Sequence, residues 1–214
     1  MSIFWRELIK GKNLRRILII EDLVQLFKQD IFSGNLSVLE LGGENASHQR
    51  YLPSSWDISA GNYVNLPNTD YVFDANTDFP FEDNKFDGVI FFNTLYAISN
   101  YLLCVSESIR VSKRFVIFNV PLVSNIAKHP TDFERFTEDK LNKMFSDLKS
   151  KYGNIRFKII KSGGSFSSAL SLLDPYIKWR ILRAVLYPLV LLLDKIDKKI
   201  NYDCPMQYLV VIEK

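Results

Sequence analysis

The sequence predicts a doubly wound α/β fold built on a mostly parallel β-sheet. Short runs rich in β-branched and aromatic residues alternate along the chain with amphipathic stretches, as expected for repeated β–α–β units. The runs FDGVIFF (86–92) and RFVIFNV (114–120) are apolar almost throughout, which is typical of strands covered by helices on both faces. A chain of 214 residues is long enough to bury such a core in one domain.

Local patterns predict the individual elements. Apolar residues spaced three and four apart predict a helix from Leu14 to Ile31, which Ser33, Gly34 and Asn35 end. Further helices are predicted at 97–111 and 137–151, the second with Thr137 as its N-cap. Strands are predicted at 37–41, 55–58, 70–73, 86–92, 114–120, 155–161 and 207–212. We expect a single domain made of an N-terminal helical segment (1–35), a core (36–161), a helical insertion (162–205) and a closing strand (206–214).

Composition excludes several classes of protein. Hydrophobic residues make up 47% of the chain and charged residues 24%, which excludes disorder of the whole chain. The net charge of +3 is too small to indicate nucleic-acid binding. Cys104 and Cys204 lie far apart without metal-ligand spacing, and Cys104 falls in an apolar run that predicts a core thiol. The first residues, MSIFWRELIKGKN, do not resemble a signal peptide, so we expect a cytoplasmic protein.

The segment from Tyr176 to Lys199 has an unusual composition. Its centre, AVLYPLVLLL, is almost purely apolar and is flanked by lysines and arginines. It is shorter than the roughly 20 residues that span a bilayer, and Pro188 interrupts it. Two interpretations stay open. It is either a helix pair buried against the domain or a dimer partner, or an interfacial helix resting on an anionic membrane surface, the inner face of the membrane.

Polar residues follow the predicted strands where the chain leaves the sheet. Ligands of open α/β sheets bind at this carboxyl edge. The residues that the first five strands deliver there are Glu40, Gly42 and Gly43, then Asp57, then Asp74, Ala75 and Asn76, then Asn93 and Thr94, and finally Asn119 and Pro121. Grouping acids is costly unless a ligand or solvent takes their hydrogen bonds. We therefore predict that Glu40, Asp57 and Asp74 meet around one ligand cavity.

Three stretches of the chain resemble the class I S-adenosylmethionine-dependent methyltransferases. They are VLELGG, DISAG and DYVFDANTDFPFEDNKFDGVIFFNTLYAI. FPFEDNKFDGVIF and HPTDFERFTEDKL are similar to two motifs of the branch found in bacterial polysaccharide gene clusters. The resemblance covers roughly residues 36–141. It implies a Rossmann-like methyltransferase fold with an antiparallel last strand, and methyl transfer to a sugar hydroxyl in cell-surface polysaccharide biosynthesis.

The resemblance also implies a role for each residue of the predicted cofactor site. Glu40 matches the acid near the methionine end of S-adenosylmethionine, and Gly42 and Gly43 match glycines that let the backbone approach the cofactor. Asp57 matches the carboxylate that accepts the ribose hydroxyls. The remaining matches are Asp74 for the adenine amino group, Ala75 beside the adenine ring, and Asn93 near the methionine portion.

The chain departs from the family's glycine pattern. Glu44 and Ala46 stand where the second and third glycines of D/E-x-G-x-G-x-G are expected, and Pro53 leaves room for only a short first helix. A second interpretation is therefore a non-catalytic relative that serves as an interaction partner or membrane-associated subunit. A nicotinamide-dependent reductase is disfavoured because the G-x-G-x-x-G spacing is absent from the sequence.

The loop after the fifth predicted strand carries the candidate catalytic residues. His129 is a candidate general base because its ordinary pKa lies near neutrality. Asp132 is the other candidate base, or it orients His129 or binds a sugar hydroxyl. Arg135 either pairs with Asp132 or holds an acidic group or phosphate of a saccharide acceptor, free or lipid-linked. The alternative is structural: Asp132, Arg135 and Thr137 fix the loop at a helix start, and Asp57 and Asp74 only cap turns.

Overall fold

The computed structural model describes residues 2–42, 49–127, 131–197 and 204–214. Its strands are β1 (Ser37–Leu41), β2 (Asp57–Asn62), β3 (Tyr71–Val72), β4 (Phe86–Phe92), β5 (Ser112–Pro121), β6 (Arg156–Ser162) and β7 (Gln207–Glu213). They form one sheet in the order β3-β2-β1-β4-β5-β7-β6. The first five strands pair in parallel, while β7 runs antiparallel to both β5 and β6. The predicted Rossmann-like topology with an antiparallel last strand is confirmed.

Alternate residues of the central strands enter cores on opposite faces of the sheet. Val89 and Phe91 of β4 belong to one apolar cluster, whereas Ile90 between them belongs to the other. The same alternation separates Phe118 from Ile117 in β5, because successive side chains of a strand point to opposite faces. Burial on both faces explains why these strands are continuously apolar, and it confirms the doubly wound arrangement.

The helices are α1 (Ile3–Ile9), α2 (Leu14–Leu26), α3 (Tyr101–Val111), α4 (Glu138–Tyr152), α5 (Ser165–Leu173) and α6 (Arg180–Asp197). The side chain of Asn13 accepts a hydrogen bond from the N–H of Arg16 at the start of α2, and that of Thr137 accepts one from Lys140 at the start of α4. Thr137 is therefore the predicted N-cap. The predicted helix over 14–31 ends at Leu26, and a separate 3-10 turn covers Asp30–Phe32.

The second strand lies further along the chain than the sequence predicted. Instead of 55–58, β2 covers Asp57–Asn62, with Asp57 opposite Ser37 at the start of β1 and Gly61 opposite Leu41 at its end. The prediction failed because Asp and Gly are both common in turns. Pairing with the buried β1 draws both residues into the sheet, which shows tertiary context overriding local propensity.

The segment after β6 folds into α5 and α6, which pack on α1 and α2. Their inward side chains include Leu170 and Tyr187, which share an apolar cluster with Leu14 and Ile17. Pro188 lies inside α6. No helix among the described residues is long and apolar enough to cross a membrane. The sequence left open whether this segment is buried against the domain or rests on a membrane surface. One side of α6 does pack against the domain, and its other side is exposed.

Candidate functional site

The carboxyl ends of β1 and β2 lie side by side and carry Glu40, Gly42 and Asn62. Glu40 is buried, and its Oε2 accepts a hydrogen bond from Gln49 Nε2 at 2.8 Å. Gly42 has φ +70°, a conformation that suits glycine, and its N–H donates to the carbonyl of Gly61 at 2.9 Å. Gly43, Glu44 and Ala46 lie outside the described residues, as does most of the glycine loop.

Asp57 does not belong to this edge. It is the first residue of β2 and is exposed at the amino end of the sheet, so it cannot share a cavity with Glu40 and Asp74. The prediction that these three carboxylates meet was wrong, because the strand boundary had been placed too early. Asn62 stands at the carboxyl end of β2 instead. Its side-chain Oδ1 accepts a hydrogen bond from the N–H of Val64 at 3.4 Å.

Asp74 follows β3 and forms a turn with Asn76. Its Oδ1 accepts hydrogen bonds from the backbone N–H and the side-chain amide of Asn76, both at 2.9 Å. Asn76 Oδ1 in turn accepts from Ser99 Oγ and from the N–H of Asn100, which joins this loop to the start of α3. Asp74 is exposed and Ala75 is half-buried. The turn-capping alternative for Asp74 therefore describes its observed contacts.

Asn93, directly after β4, is held in a left-handed conformation by Asn119 of β5. Its φ is +52°, which is uncommon for a residue other than glycine. The N–H of Asn93 donates to Asn119 Oδ1 at 2.8 Å, and Asn119 Nδ2 donates to Asn93 Oδ1 at 3.1 Å. Asn119 is fully buried and also donates to Gln207 Oε1 at 3.1 Å. These hydrogen bonds from the buried Asn119 fix the backbone of the exposed Asn93 at the centre of the carboxyl edge.

Thr94 packs directly against Gly42. Its Oγ1 donates a hydrogen bond to the carbonyl of Leu41 at 3.3 Å or to that of Phe92 at 3.2 Å. A Cβ on Gly42 would lie 2.9 Å from this oxygen, closer than two such atoms normally approach. The glycine is therefore required by the contact between the first and fourth strand ends, in addition to its positive φ.

A cleft of about 220 Å³ opens at the carboxyl ends of β4 and β5. Its walls come from three places: the start of α2, the loop after β4 and the loop after β5. The lining residues are Asn13, Arg15, Arg16, Asn93, Tyr96, Pro121, Ser124, Asn125, Ala127, Asp132 and Arg135. Asn93, Asp132 and Arg135, which the sequence placed in different parts of the site, thus border one cavity. Glu40, Gly42 and Asp74 are not among its lining residues.

Asp132 and Arg135 form an ion pair on the wall of this cleft. Both carboxylate oxygens of Asp132 accept hydrogen bonds from the Arg135 guanidinium, and Oδ2 also accepts from the N–H of Ala127 at 3.1 Å. Burial alone would raise the pKa of Asp132, but these hydrogen bonds outweigh it and hold the pKa below its usual value. An acid so engaged is a poor proton acceptor. His129 lies outside the described residues, so its role as a base stays a prediction.

Two arginines that the sequence did not single out line a neighbouring cavity of about 370 Å³. Arg15 donates from Nη2 to the carbonyl of Val123 at 3.0 Å, and Arg183 donates to the carbonyl of Asp174 at 3.1 Å. The Nε of each arginine is buried, with no hydrogen-bond partner among the described residues. Burial lowers the pKa of Arg15, and the positive charge of Arg135 adds to the effect. Both cavities are therefore polar, and the Nε of each arginine is left as a buried donor.

The polar side chains of the edge are suited to the hydroxyl and amino groups of an organic ligand. In the part of the chain that the structure describes, no cluster of three or more His, Cys, Asp or Glu side chains could hold a metal ion. The carboxylate and amide oxygens of Glu40, Asn62, Asp74 and Asn93 are acceptors for such groups.

Comparisons with known proteins place the fold in one class. Comparison with protein-family models and with curated proteins gives no match, but many solved structures are similar. A putative sarcosine dimethylglycine methyltransferase from Galdieria sulphuraria is 13% identical, with 92% of this chain and 85% of that chain covered and a TM-score of 0.59. A SAM-dependent methyltransferase from Archaeoglobus fulgidus is 13% identical, with 91% and 94% covered and a TM-score of 0.56.

These likenesses define the Rossmann-like methyltransferase fold. The cyclase SpnF is similar to the same extent, with 13% identity, 91% of this chain and 80% of that chain covered, and a TM-score of 0.58. One fold thus carries different activities, and the assignment of an activity must rest on the site.

Proposed function

We propose that this protein binds S-adenosylmethionine at the carboxyl ends of β1 to β4 and transfers its methyl group to an acceptor in the adjoining cleft. The observation that carries the proposal is Asn93. It directly follows β4, which pairs with β1, and it also lines the 220 Å³ cleft. Asn93 therefore lies between two potential ligand sites, and direct methyl transfer needs the two substrates to be held next to each other.

The residues at the first four strand ends fit the proposed cofactor. Glu40 is placed for the positively charged methionine end, and Asn93 for its polar groups. Asn62 takes the place at the end of β2 that had been assigned to Asp57, where its side-chain oxygen can accept a ribose hydroxyl. Both side-chain hydrogen bonds of Asp74 end on Oδ1, which leaves Oδ2 of this exposed carboxylate for the adenine amino group, with Ala75 beside the ring.

The cleft between the ends of β4 and β5 fits a saccharide that bears an acidic group. Amides of Asn13 and Asn125 suit hydroxyl groups, and Arg15 and Arg16 suit a carboxylate or phosphate. The buried Nε–H of Arg15 would gain a partner from such an acid, which removes the cost of leaving it unsatisfied. We therefore keep the proposal of a saccharide acceptor, free or lipid-linked, in cell-surface polysaccharide synthesis.

The chemistry divides between the cofactor and the chain. S-adenosylmethionine, when bound, supplies an electrophilic methyl group on a sulfonium centre. The chain's contribution is to hold the acceptor hydroxyl in line with that group, and positioning of this kind accounts for much of an enzyme's acceleration. His129 is the proposed base for the hydroxyl proton. Asp132 is assigned to fixing Arg135 and the loop rather than to proton transfer.

Calorimetric titration with S-adenosylhomocysteine tests the cofactor site. We expect binding that Asn62→Ala weakens and that Asp57→Ala leaves unchanged, because Asp57 lies at the opposite edge of the sheet. The two variants are matched, since each removes one polar side chain from an end of the same strand. Absence of binding at millimolar ligand, or equal loss in both variants, would contradict the proposed site.

The non-catalytic alternative is favoured by one observation: the candidate acid nearest the acceptor cleft, Asp132, is fully engaged by Arg135 and Ala127. Turnover distinguishes the two functions. Incubation with radiolabelled S-adenosylmethionine and acidic saccharides should give labelled product, and mass spectrometry of surface glycans from a deletion strain should show a lost methyl group. Cofactor binding with neither result would establish the non-catalytic alternative.

A further inference from the structure

The outer side of α5 and α6 is an exposed apolar surface. Of the twenty large apolar residues that are exposed in the described part of the chain, eleven fall within residues 166–196. We call this set the outer face; its members are Phe166, Leu172, Leu173, Tyr176, Trp179, Ile181, Leu182, Val185, Leu189, Leu192 and Ile196. An exposed apolar concentration of this kind marks an interaction surface.

The outer face follows from the two-sided character of α6. At 3.6 residues per turn, its six exposed apolar residues from Ile181 to Ile196 occupy an arc of about 100°. The opposite side carries Tyr187 and Asp194, which are buried. Tyr187 donates to Asp174 Oδ1 at 2.6 Å, and Asp194 Oδ1 accepts from the N–H groups of Phe166 and Ser167 at the start of α5. The helix is thus attached firmly by one side only.

The exposed charges from residue 165 to residue 196, the range of the outer face, are all positive. Between residues 165 and 196 the only acidic residues are Asp174 and Asp194, and both are buried. The exposed charged residues of the same range are Lys178, Arg180 and Lys195, all cations. The sequence continues with Asp197, Lys198 and Lys199, so cations outnumber acids beyond this range as well. An apolar surface bordered by cations is complementary to a surface that is apolar inside and anionic outside.

Aromatic residues stand at one end of the outer face. Tyr176 is 79% exposed and Trp179 is 77% exposed, in the connection between α5 and α6. Tyr and Trp are enriched at the boundary between lipid headgroups and acyl chains, because one part of each ring system is apolar and another is polar. Lys178 lies between these two aromatic residues in the chain, so a cation stands at the same end of the outer face.

We propose that the outer face rests on the surface of an anionic lipid bilayer, with its apolar residues at the headgroup boundary and its lysines and arginine among the headgroups. A second copy of the chain fits less well. Around a two-fold axis each subunit presents the same face, so the cations of one rim would meet the cations of the other, and like charges oppose association.

Vesicle sedimentation with the purified full chain tests the proposal. We expect it to bind vesicles of phosphatidylcholine mixed with phosphatidylglycerol, to bind phosphatidylcholine alone much more weakly, and to dissociate as salt is raised. Each cation near an anionic surface contributes a factor of about five in partitioning. The double variant Lys178→Gln/Lys195→Gln should therefore bind on the order of 20-fold more weakly, while Lys85→Gln, an exposed lysine at the amino edge of the sheet, should bind as the wild type does.

The apolar contribution is tested with Ile181→Ser/Leu192→Ser, which alters two exposed residues and should leave thermal unfolding unchanged. It should lose binding to both vesicle types. In a Trp5→Phe background, the remaining tryptophans are the buried Trp56 and the exposed Trp179. Anionic vesicles should then shift the fluorescence of Trp179 to shorter wavelength.

Three results would overturn the proposal. They are binding that is equal for neutral and anionic vesicles, absence of binding to either, and a dimer in sedimentation analysis that Ile181→Ser/Leu192→Ser dissociates. The last result would assign the outer face to a second copy. None of these measurements depends on methyl transfer, so they test the membrane inference independently of the proposed function.

Discussion

The side-chain amide of Asn119 forms two hydrogen bonds with Asn93, one to its backbone and one to its side chain. Its amide oxygen accepts the Asn93 N–H at 2.8 Å and its amide nitrogen donates to the Asn93 side chain at 3.1 Å. Asn119 connects onward to Gln207, whose Nε2 donates to the carbonyl of Arg15 at 3.0 Å. The buried amides of Asn119 and Gln207 thus link the end of β4 to the start of α2.

Replacing Asn119 should destabilise the protein and displace Asn93. Asn119→Ala leaves polar groups of Asn93 and Gln207 without their buried partner, and we expect the free energy of unfolding to fall by about 2 kcal/mol. Urea denaturation measures the change. Asn93→Gly, which keeps the backbone donor and adopts a positive φ without strain, should cost less than about 1 kcal/mol. A larger loss for Asn93→Gly than for Asn119→Ala would contradict this account.

Adding a methyl group at Gly42 should be more harmful than adding one at Gly34. Both glycines have positive φ, but a Cβ on Gly42 would lie 2.9 Å from Thr94 Oγ1, whereas one on Gly34 has no atom within 4 Å among the described residues. Gly34→Ala should cost about 1 kcal/mol from backbone strain alone. Gly42→Ala should cost about 1 to 3 kcal/mol more, and Thr94→Ala should recover that excess. Equal melting temperatures for the two alanine variants would argue against the contact.

The Asp132–Arg135 pair should make stability depend on pH in the acid range. The pKa of Asp132 is lower in the folded protein than its ordinary value of 3.8, because the hydrogen bonds from Arg135 and Ala127 outweigh the effect of burial. A lowered folded pKa gives stability that is fully present above the unfolded pKa and is lost as pH falls through the folded pKa. The advantage of the wild type over Asp132→Asn should therefore be constant above about pH 5 and shrink below about pH 4.

This comparison also examines the catalytic alternatives for Asp132. Its side chain is 6% exposed, and at neutral pH we expect Asp132→Asn to lose about 2 kcal/mol of stability, because Arg135 is left partly buried without its partner. Thermal unfolding at several pH values gives the measurement. If the variant were as stable as the wild type at pH 7 but inactive, Asp132 would be a proton acceptor rather than a loop-fixing residue.

The two cysteines should differ in reactivity. Burial raises the pKa of the Cys104 thiol to about 12, and the thiolate is the reactive form, so Cys104 should not react with a thiol reagent in the native protein. Cys204 is half-buried and should react. Titration at pH 8 should therefore give one reactive thiol in the native state and two after denaturation. The burial of Cys104 confirms its prediction as a core thiol.

Sequence patterns located the elements whose burial is uniform. β1 at 37–41 and β4 at 86–92 have the predicted bounds, because continuous apolar runs leave little choice of register when both faces are covered. β2 was misplaced because Asp57 and Gly61 have low strand propensity, and only pairing with β1 reveals that they lie in the sheet. The same error concealed Asn62, which local sequence cannot distinguish from a turn residue.

The candidate site was predictable where it follows a strand and unpredictable where it depends on distant packing. Asn93 and Asn119 were identified at their strand ends, and Asp132 and Arg135 in their loop. Arg15 gave no signal, because a charged residue between Leu14 and Ile17 in the first turn of a helix is ordinary. It lines both cavities only because the loop after β5 passes over the start of α2, bringing the Val123 carbonyl within 3.0 Å of its guanidinium.

Because Tyr187 and Asp194 anchor α6 before any lipid is met, the outer face is already helical in water. Peptides that fold into helices only when they bind a membrane lose conformational entropy on binding. The outer face is folded before it binds, so it does not lose that entropy. Far-ultraviolet circular dichroism should accordingly stay the same when vesicles are added. The 370 Å³ cavity next to the acceptor cleft, which Arg183 of this helix lines, would then face molecules diffusing in two dimensions rather than three.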